Sequence, residues 1–487
     1  MAKPTHTDIR MYRTGTGDCF VLKFFAGRNC IFTMMIDGGT WGSGITKSEL
    51  RKHVNDLKKY VNNKLDLLVI THEHKDHVYL FNACETLFTN NFVVDEVWMA
   101  WSENDEDEFV KQWKEKYGQK KRSFAEAVAK VNDTLSSDDF KNTFNANYEH
   151  KRLSAYYNNY RDSLNGFAEL HFELDARGKY KGGLRGMEVV KNKIGKDKMR
   201  FFEPGNVETI NGLPGVKFYI LGPPKSIKAV KKEHGKHEGD TYDHNKVLSR
   251  SDSFSAAVSS QASTLSISPF KGYTDHSTKT RDNYSSEDHS WRRIDNDWLL
   301  AGAGNLALRL NTGINNLSLA MAIEFEDSGR VMLFPGDAEF GSWESWHQIN
   351  WEENQRGTKP LTEDLLNRTV FYKVAHHLSH NGTAKNKGLR MMKSKDLTAM
   401  ATLDYRVISH NWKSTMPNRG ILKDLLIKTK GKLIIMNEEG LYYDFHGKKP
   451  LKERIQDERK KLNTEEASFF KKNHKTTNLY HQVRIRS

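Results

Sequence analysis

Cysteine is scarce in this chain: 487 residues carry only Cys19, Cys30 and Cys84, an odd number with no Cys-x-x-Cys pair. That argues against a disulfide framework and points to a reducing compartment. No apolar stretch approaches membrane-spanning length, and the opening Met-Ala-Lys-Pro-Thr-His-Thr-Asp has no apolar signal core. The expectation is a soluble cytoplasmic protein with no membrane partner. Internal repeats of roughly 20 to 50 residues, the mark of solenoids and propellers, are also missing.

Positive charge, by contrast, is plentiful. Lys and Arg number 75 against 62 Asp and Glu, a formal net charge of +13 and a pI near 9.2. An excess of that size suits a polyanionic partner such as nucleic acid, with plain solubility as the simpler account. Hydrophobic content of 37% supplies a sizeable core. A mean hydropathy of −0.72 leaves much of the chain as surface-rich helix or loop. The length allows two or three domains, or one large domain with insertions.

The densest chemistry sits in Thr71-His72-Glu73-His74-Lys75-Asp76-His77, directly after the apolar run Leu67-Leu68-Val69-Ile70. That run reads as a buried strand, so metal-binding groups occupy the loop at its C-terminal end, where α/β folds usually place their chemistry. Imidazoles and a carboxylate without thiolate suit Zn²⁺, Mn²⁺ or Fe. A solvated His-rich turn is the alternative; four ligand-type residues in His-x-His-x-Asp-His order weigh against it.

Other strands end in polar residues too. Ile9 to Phe25 reads as strand, turn, strand, with Gly15-Thr16-Gly17-Asp18 at the turn. Ile31–Ile36 runs into Asp37-Gly38-Gly39, whose small residues let another loop approach. Lys47–Asn62 is a helical candidate, and Val93–Met99 and Val216–Leu221 are further strands. Gly313 to Ile323, containing Asn315-Asn316-Leu-Ser318, reads as an alternating strand, and Val331–Phe334 ends in Pro335-Gly336-Asp337. Val370–Val374 leads to Ala375-His376-His377-Leu378-Ser379-His380. Tyr405 to His410 reads as one more strand, and Lys432–Met436 with Gly440–Phe445 as a closing hairpin. Repeated strand–helix alternation indicates an α/β layered fold.

Ligand types thus recur at strand ends: His72, His74, Asp76, His77, Asp337 and one of His376 or His377. Two metals ~3.5–4 Å apart need such a set with one carboxylate able to bridge, and Asp337 suits that role. The pair would lower the pKa of a shared water toward ~7, giving a hydroxide nucleophile without a protein base. Asp18 and Asp37 suit the orientation of imidazole N–H groups, with turn formation as their simpler reading.

The set resembles the metallo-β-lactamase superfamily, specifically the ComEC-like stand-alone hydrolase subgroup. The motifs that carry the likeness are Gly15-Thr-Gly-Asp18, Asp37-Gly-Gly39, His72 to His77, Asn315-Asn316-Leu-Ser318, Gly336-Asp337 and His376-His377-Leu378-Ser379. The likeness covers roughly residues 9–100, 205–225 and 305–445. It implies an αββα sandwich holding two divalent ions, Zn²⁺ or Mn²⁺, with one ion as the alternative. The sequence departs from the subgroup at Val78-Tyr79, where it has Gly-Gly, and at Leu378, where it has Gly; both put bulk near the site. A further superfamily histidine has no clear counterpart, although His171, His234, His237, His244, His276 and His289 are available.

The implied organisation is a first core half at 1–103, a helical insertion at 104–204, a core strand within 205–225, and a polar insertion at 226–304. A second core half follows at 305–447, then a basic C-terminal tail at 448–487. The leading functional expectation is a metal-dependent phosphodiesterase or nuclease acting on DNA or RNA, in host defence or nucleic-acid processing. Ser379, His380 and His410 are the candidate substrate contacts. A lactonase or phosphorylcholine-type esterase, and a non-catalytic binding module, are the alternatives; the insertions and tail are candidate docking elements for a protein partner.

Overall fold

The computed structural model describes residues 2–41, 45–136, 148–174, 180–181, 184–233, 235, 237, 239–242, 307, 310–351, 355–356, 359–408, 413, 416–443 and 449–487. Two mixed β-sheets carry the chemistry. The first comprises β1 (His6–Tyr12), β2 (Phe20–Ala26), β3 (Asn29–Ile36), β4 (Lys64–Ile70), β5 (Val93–Ala100), β8 (Met199–Phe202), β18 (Lys475–Thr476) and β19 (Tyr480–Arg486). Its order is β18-β19-β1-β2-β3-β4-β5-β8. The second comprises β9 (Val207–Thr209), β10 (Val216–Ile220), β11 (Met321–Phe325), β12 (Arg330–Phe334), β15 (Thr369–Lys373), β16 (Thr398–Asp404) and β17 (Leu433–Asn437). Its order is β17-β16-β15-β12-β11-β10-β9. Two small hairpins, β6–β7 (Glu173–Leu174, Tyr180–Lys181) and β13–β14 (Gln355–Arg356, Lys359–Pro360), lie outside both sheets.

Each sheet changes direction once. β1–β3 are antiparallel and β3, β4, β5 and β8 parallel; likewise β9–β12 are antiparallel and β12, β15, β16 and β17 parallel. The C-terminal ends of the parallel strands carry the candidate ligands of both halves.

Alternation along the strands builds three apolar layers. Phe20, Leu22, Met34, Leu67 and Val69 from the first sheet join Phe218, Ile220, Met321, Ile323, Met332, Phe334 and Phe371 from the second in one buried cluster. Residues of opposite parity, Val21, Met35, Leu68 and Ile70, pack against α1 (Lys47–Tyr60) and α2 (Lys75–Ala83). On the second sheet, Val331, Leu333, Tyr372 and Val374 pack against the helix Phe340–Trp346 and against Leu422 and Leu425 of the helix Arg419–Lys428. α1 forms because Leu50, His53, Val54 and Leu57 fall on one stripe and Thr46 with Glu49 closes a capping box.

Beyond the short helix α3 (Glu85–Asn91), the helical character expected for 104–204 is seen in α4 (Glu108–Ser136) and α5 (Tyr148–His171). Phe124, Val128 and Val131 of α4 pack with Leu164 and Ala168 of α5. That segment's end corrects the boundary, since Met199–Phe202 is the edge strand β8, paired in parallel with β5. Most of the polar insertion lies outside the described residues.

Three strand expectations are corrected. Residues 310–315 are helical, so the strand begins only at Met321. Asn316 and Ser318 spend their side chains on the backbone N–H groups of Glu339, Ser342 and Asp337, which a regular strand would not permit. The strand placed at Tyr405 to His410 is instead Thr398–Asp404, with a turn at 405–407 and residues 409–410 outside the described set. β17 pairs in parallel with β16 rather than in a hairpin; Tyr442 only bridges to Pro450.

The basic tail forms a helix over Leu451–Arg459, with Leu451, Ile455 and Glu458 buried, and ends in a strand. β19 inserts beside β1 over the full register His6↔Arg486 to Tyr12↔Tyr480. Arg10 locks that pairing. Its guanidinium lies 3.4 Å from the Tyr60 ring centroid and 3.6 Å from that of Tyr480, and it donates to Gln482 and Asp56. Arg10→Ala should therefore lower unfolding stability by about 1–2 kcal/mol in urea titrations, removing two cation–π contacts and the bonds to Gln482 and Asp56, while Asp56 keeps its bond from Tyr12. A loss under about 0.5 kcal/mol, the range of an unremarkable surface change, would mean the tail is not held this way.

Candidate metal centre

The loop after β4 is placed by glycines. Asp37, at φ 56°, turns the chain after β3, and Gly38 and Gly39 bring it onto the metal loop. Gly38 N donates to His77 O at 2.7 Å, and Asp18 N to Asp76 O at 2.8 Å. A Cβ at Gly39 would lie 1.9 Å from the Asp76 carbonyl, so no side chain fits there. From the other sheet, Ala375–Leu378 forms a tight turn in which His376, His377 and Leu378 all have positive φ (47°, 50° and 69°). Left-handed backbone costs about 1–2 kcal/mol for each such residue, and it persists only where surrounding contacts over-determine it.

Among the described residues, Asp18, His77, Asp337 and His377 have ligand-type atoms all within 4.8 Å of one another, and all four are buried. Asp337 Oδ2 is 3.1 Å from both His77 Nε2 and His377 Nε2. Asp76 Oδ2 is 3.0 Å from His377 Nε2. Asp76 Oδ1 is buried with no hydrogen-bond partner, and Asp337 Oδ2 meets His77 Nε2 and His377 Nε2 in ion-pair contacts, not well-formed hydrogen bonds, a costly arrangement for polar atoms unless something else is meant to bind there. His72 Nε2 and His74 Nδ1 face each other at 3.0 Å beside this group.

The remaining ring nitrogens and oxygens are fixed from behind. Asp37 Oδ2 bonds His77 Nδ1 at 2.8 Å and accepts from Thr71 Oγ1. Thr402 Oγ1 lies 2.8 Å from His377 Nδ1 and donates to Asp18 Oδ1 at 2.6 Å. Lys373 Nζ reaches Asp18 Oδ2 at 2.5 Å and Asp337 Oδ1 at 3.0 Å, while the His376 N–H also donates to Asp337 Oδ1. Both Asp18 oxygens are thus engaged, whereas Asp76 presents a free one. Asp18, His77, Asp337 and His377 are the described group whose ligand-type atoms lie close enough to hold an ion, and Asp76 adjoins it through His377.

Electrostatics follow from burial and these partners. Burial opposes charge on His77, yet the carboxylates of Asp337, Asp37, Asp76 and Asp18 hold its pKa well above the usual value. His377 is pushed up to about 9 against burial, by Asp337 and Asp76. Asp337, despite burial, is held well below the carboxylate range by His377, Lys373 and His77. His72 and His74 are lowered by burial and by neighbouring imidazoles, so they are neutral donors at neutral pH. Without an ion, the two imidazolium protons supply the positive charge. A divalent cation would displace both and leave the charge of the buried cluster unchanged, a chemistry these donors fit.

The expected residues sort clearly. His72, His74, Asp76, His77, Asp337 and His377 come together, Asp18 falls within the tight group, and Asp37 lies behind His77. His376 separates from them: its Nδ1 is 2.9 Å from Asn381 Oδ1, its Nε2 3.3 Å from Asn315 Nδ2, and burial drops its pKa to about 4. His380 is half-buried and close enough to affect the His376 charge; Ser379 is buried, its N–H donating to His376 O. His410 lies outside the described residues. Val78 is fully buried and Tyr79 packs against the same core as the helix Arg185–Val189, and Leu378 is buried under the second sheet.

Sequence reasoning missed Lys373, Thr402, Glu339 and the placement of His171. Lys373 and Thr402 sit within buried strands, and a polar residue in an otherwise apolar strand was the available signal. Glu339, two residues past Asp337, has its pKa raised to about 8 by burial and accepts from Asn315. His171, at the end of α5, stacks edge-on to His74 at 4.7 Å with both ring nitrogens unpartnered.

No family model, curated protein or solved structure matches this chain.

Calorimetric titration with Zn²⁺ or Mn²⁺ near pH 7, in buffers of differing ionisation enthalpy, should show release of about two protons per ion, with affinity rising toward pH 9. His377→Ala should abolish this binding and His376→Ala retain it; the reverse pattern would reassign the ligand. In the metal-free protein, the stability contributed by His377 is full below about pH 6.5 and is lost as pH rises through about 9; His77, whose pKa is also raised, loses its contribution in the same direction. Lys373→Met, stranding two buried carboxylates, should cost about 3–5 kcal/mol in chemical denaturation.

Proposed function

We propose that this chain is a metal-dependent phosphodiesterase of the metallo-β-lactamase αββα type, acting on nucleic acid. The observation that carries the reading is the convergence of buried atoms without well-formed hydrogen bonds on Asp76, His77 and Asp337, together with His377 Nε2, at strand ends of both sheets. Helix packing on the outer face of each sheet supports the fold assignment, and the motif order from Asp18 to His377 supports the family.

In this reading Asp76, His77, Asp337 and His377, with Asp18 beside them, would hold one divalent ion, and His72, His74 and Asp337 would offer donors to a second. Bound ions supply Lewis acidity and activate water at neutral pH. Asp37 and Thr402 keep the Nε2 atoms of His77 and His377 turned inward by holding each Nδ1. Lys373 keeps Asp337 ionised. His376, hydrogen-bonded to Asn381 and at the rim of the cluster, contacts a non-bridging oxygen of the scissile phosphate. The formal charge of +13 favours a polyanion over a small ester, because counterion release rewards many phosphate contacts.

Single-stranded DNA, duplex DNA and RNA incubated with the protein and Mn²⁺, Mg²⁺ or Zn²⁺ test the reading. Cleavage should fall at least about a hundredfold in Asp76→Ala and Asp337→Ala. Cleavage that persists in both variants defeats it, and turnover of a lactone or a phosphocholine ester with none of any polynucleotide transfers the chain to the esterase alternative.

A further inference from the structure

A cavity of about 360 Å³ opens beside the metal loop, with His72 and Glu73 in its lining and α4 as a wall. Its aromatic side is preset. Trp113 and Tyr117, one helical turn apart on α4, stack with centroids 5.3 Å apart and planes at 22°. Tyr117 is pinned by donating to Leu310 O at 2.6 Å, a contact that works because position 313 is glycine: a Cβ there would lie 2.2 Å from the Tyr117 hydroxyl.

The polar character of the cavity is selective. Its lysines are all paired, Lys121 with Glu73, and Lys114 and Lys191 with Glu103 and Asp105. Anionic phosphate therefore finds no unpaired cation among the described lining residues. Ser102, only 2% exposed, lines the cavity with an Oγ that has no hydrogen-bond partner. A flat, neutral group with hydrogen-bonding edges satisfies these surfaces: the rings of Trp113 and Tyr117 offer π-faces and Ser102 offers a donor or acceptor to an edge.

We propose that this cavity takes one unpaired nucleobase of the substrate, while the adjoining phosphate lies at the metal centre. The substrate is then a single strand or a frayed end, because a base inside a duplex is stacked on both faces and its Watson–Crick edge is paired. This rests on the phosphodiesterase reading above for its phosphate half; the base half is testable alone. The helical insertion becomes the element that chooses the nucleic acid, and the two sheets the element that would cut it.

Isothermal titration of the metal-free protein with AMP, GMP, CMP and UMP should show saturable binding that ribose 5-phosphate lacks. Trp113→Ala should weaken that binding about tenfold, Trp113→Phe less, and Ser102→Ala should change the ranking of the four bases. With metal present, single strands should be cut in preference to blunt duplex, and an abasic nucleotide should raise KM about tenfold, a difference that Trp113→Ala removes. Equal binding of ribose 5-phosphate, or equal KM for normal and abasic strands, overturns the proposal. Nucleotide binding that Trp113→Ala abolishes, in a protein that cuts no diester, supports the pocket while removing the phosphodiesterase reading.

Discussion

Asp337 must stay ionised where almost no water reaches it, and the site is arranged to meet that requirement. Its Oδ1 takes an ammonium from Lys373 and the amide of His376, which leaves Oδ2 turned toward two imidazoles that arrive from different sheets. His77 comes from the loop after β4 and His377 from the turn after β15, so this one carboxylate joins the two halves of the molecule electrostatically. A buried charge without partners would neutralise itself by shifting its pKa. Here the partners are strong enough to shift it the other way.

The geometry that supplies those partners is locally unfavourable. Three consecutive left-handed residues at His376–Leu378 and a left-handed Asp37 are backbone states that ordinary residues avoid. Each is tied down from outside: Asp37 by Thr71 and His77, Leu378 by burial in the core, His377 by Thr402, His376 by Asn381. Burial and hydrogen bonding at the strand ends thus sustain strain at the points where side chains must be aimed. Glycine at 39 solves a different problem, that of two backbones in contact.

Much of the site was legible because metal ligands are chemically distinctive and cluster at strand ends. His72 to His77, Asp337 and the His376-His377 pair stand out as residue types, and the apolar runs before them announce their strands. The choice between His376 and His377 was not legible, since it depends on a turn whose φ values no propensity rule predicts. Lys373 and Thr402 were hidden inside strands read for their apolar pattern. β16 was misplaced because Thr-Ala-Met-Ala-Thr-Leu-Asp is a central strand of small residues with weak β-propensity, while the neighbouring Tyr405-Arg-Val-Ile looks more strand-like. The segment 448–487 reads as a solvated tail by charge alone; its arginines instead flank β19 or pack on aromatic rings, which composition cannot reveal.

That last strand has a consequence for how the molecule is made. β1 leaves the ribosome long before β19, yet they are neighbours in one sheet. Throughout synthesis β1 has a partner on one side only, and its other edge is an open template for foreign strands. The turn carrying Asp18 hangs from that half-finished sheet. Closing a loop of such length costs entropy before any contact rewards it, so the ordering of the site's first half is tied to the arrival of a strand synthesised much later.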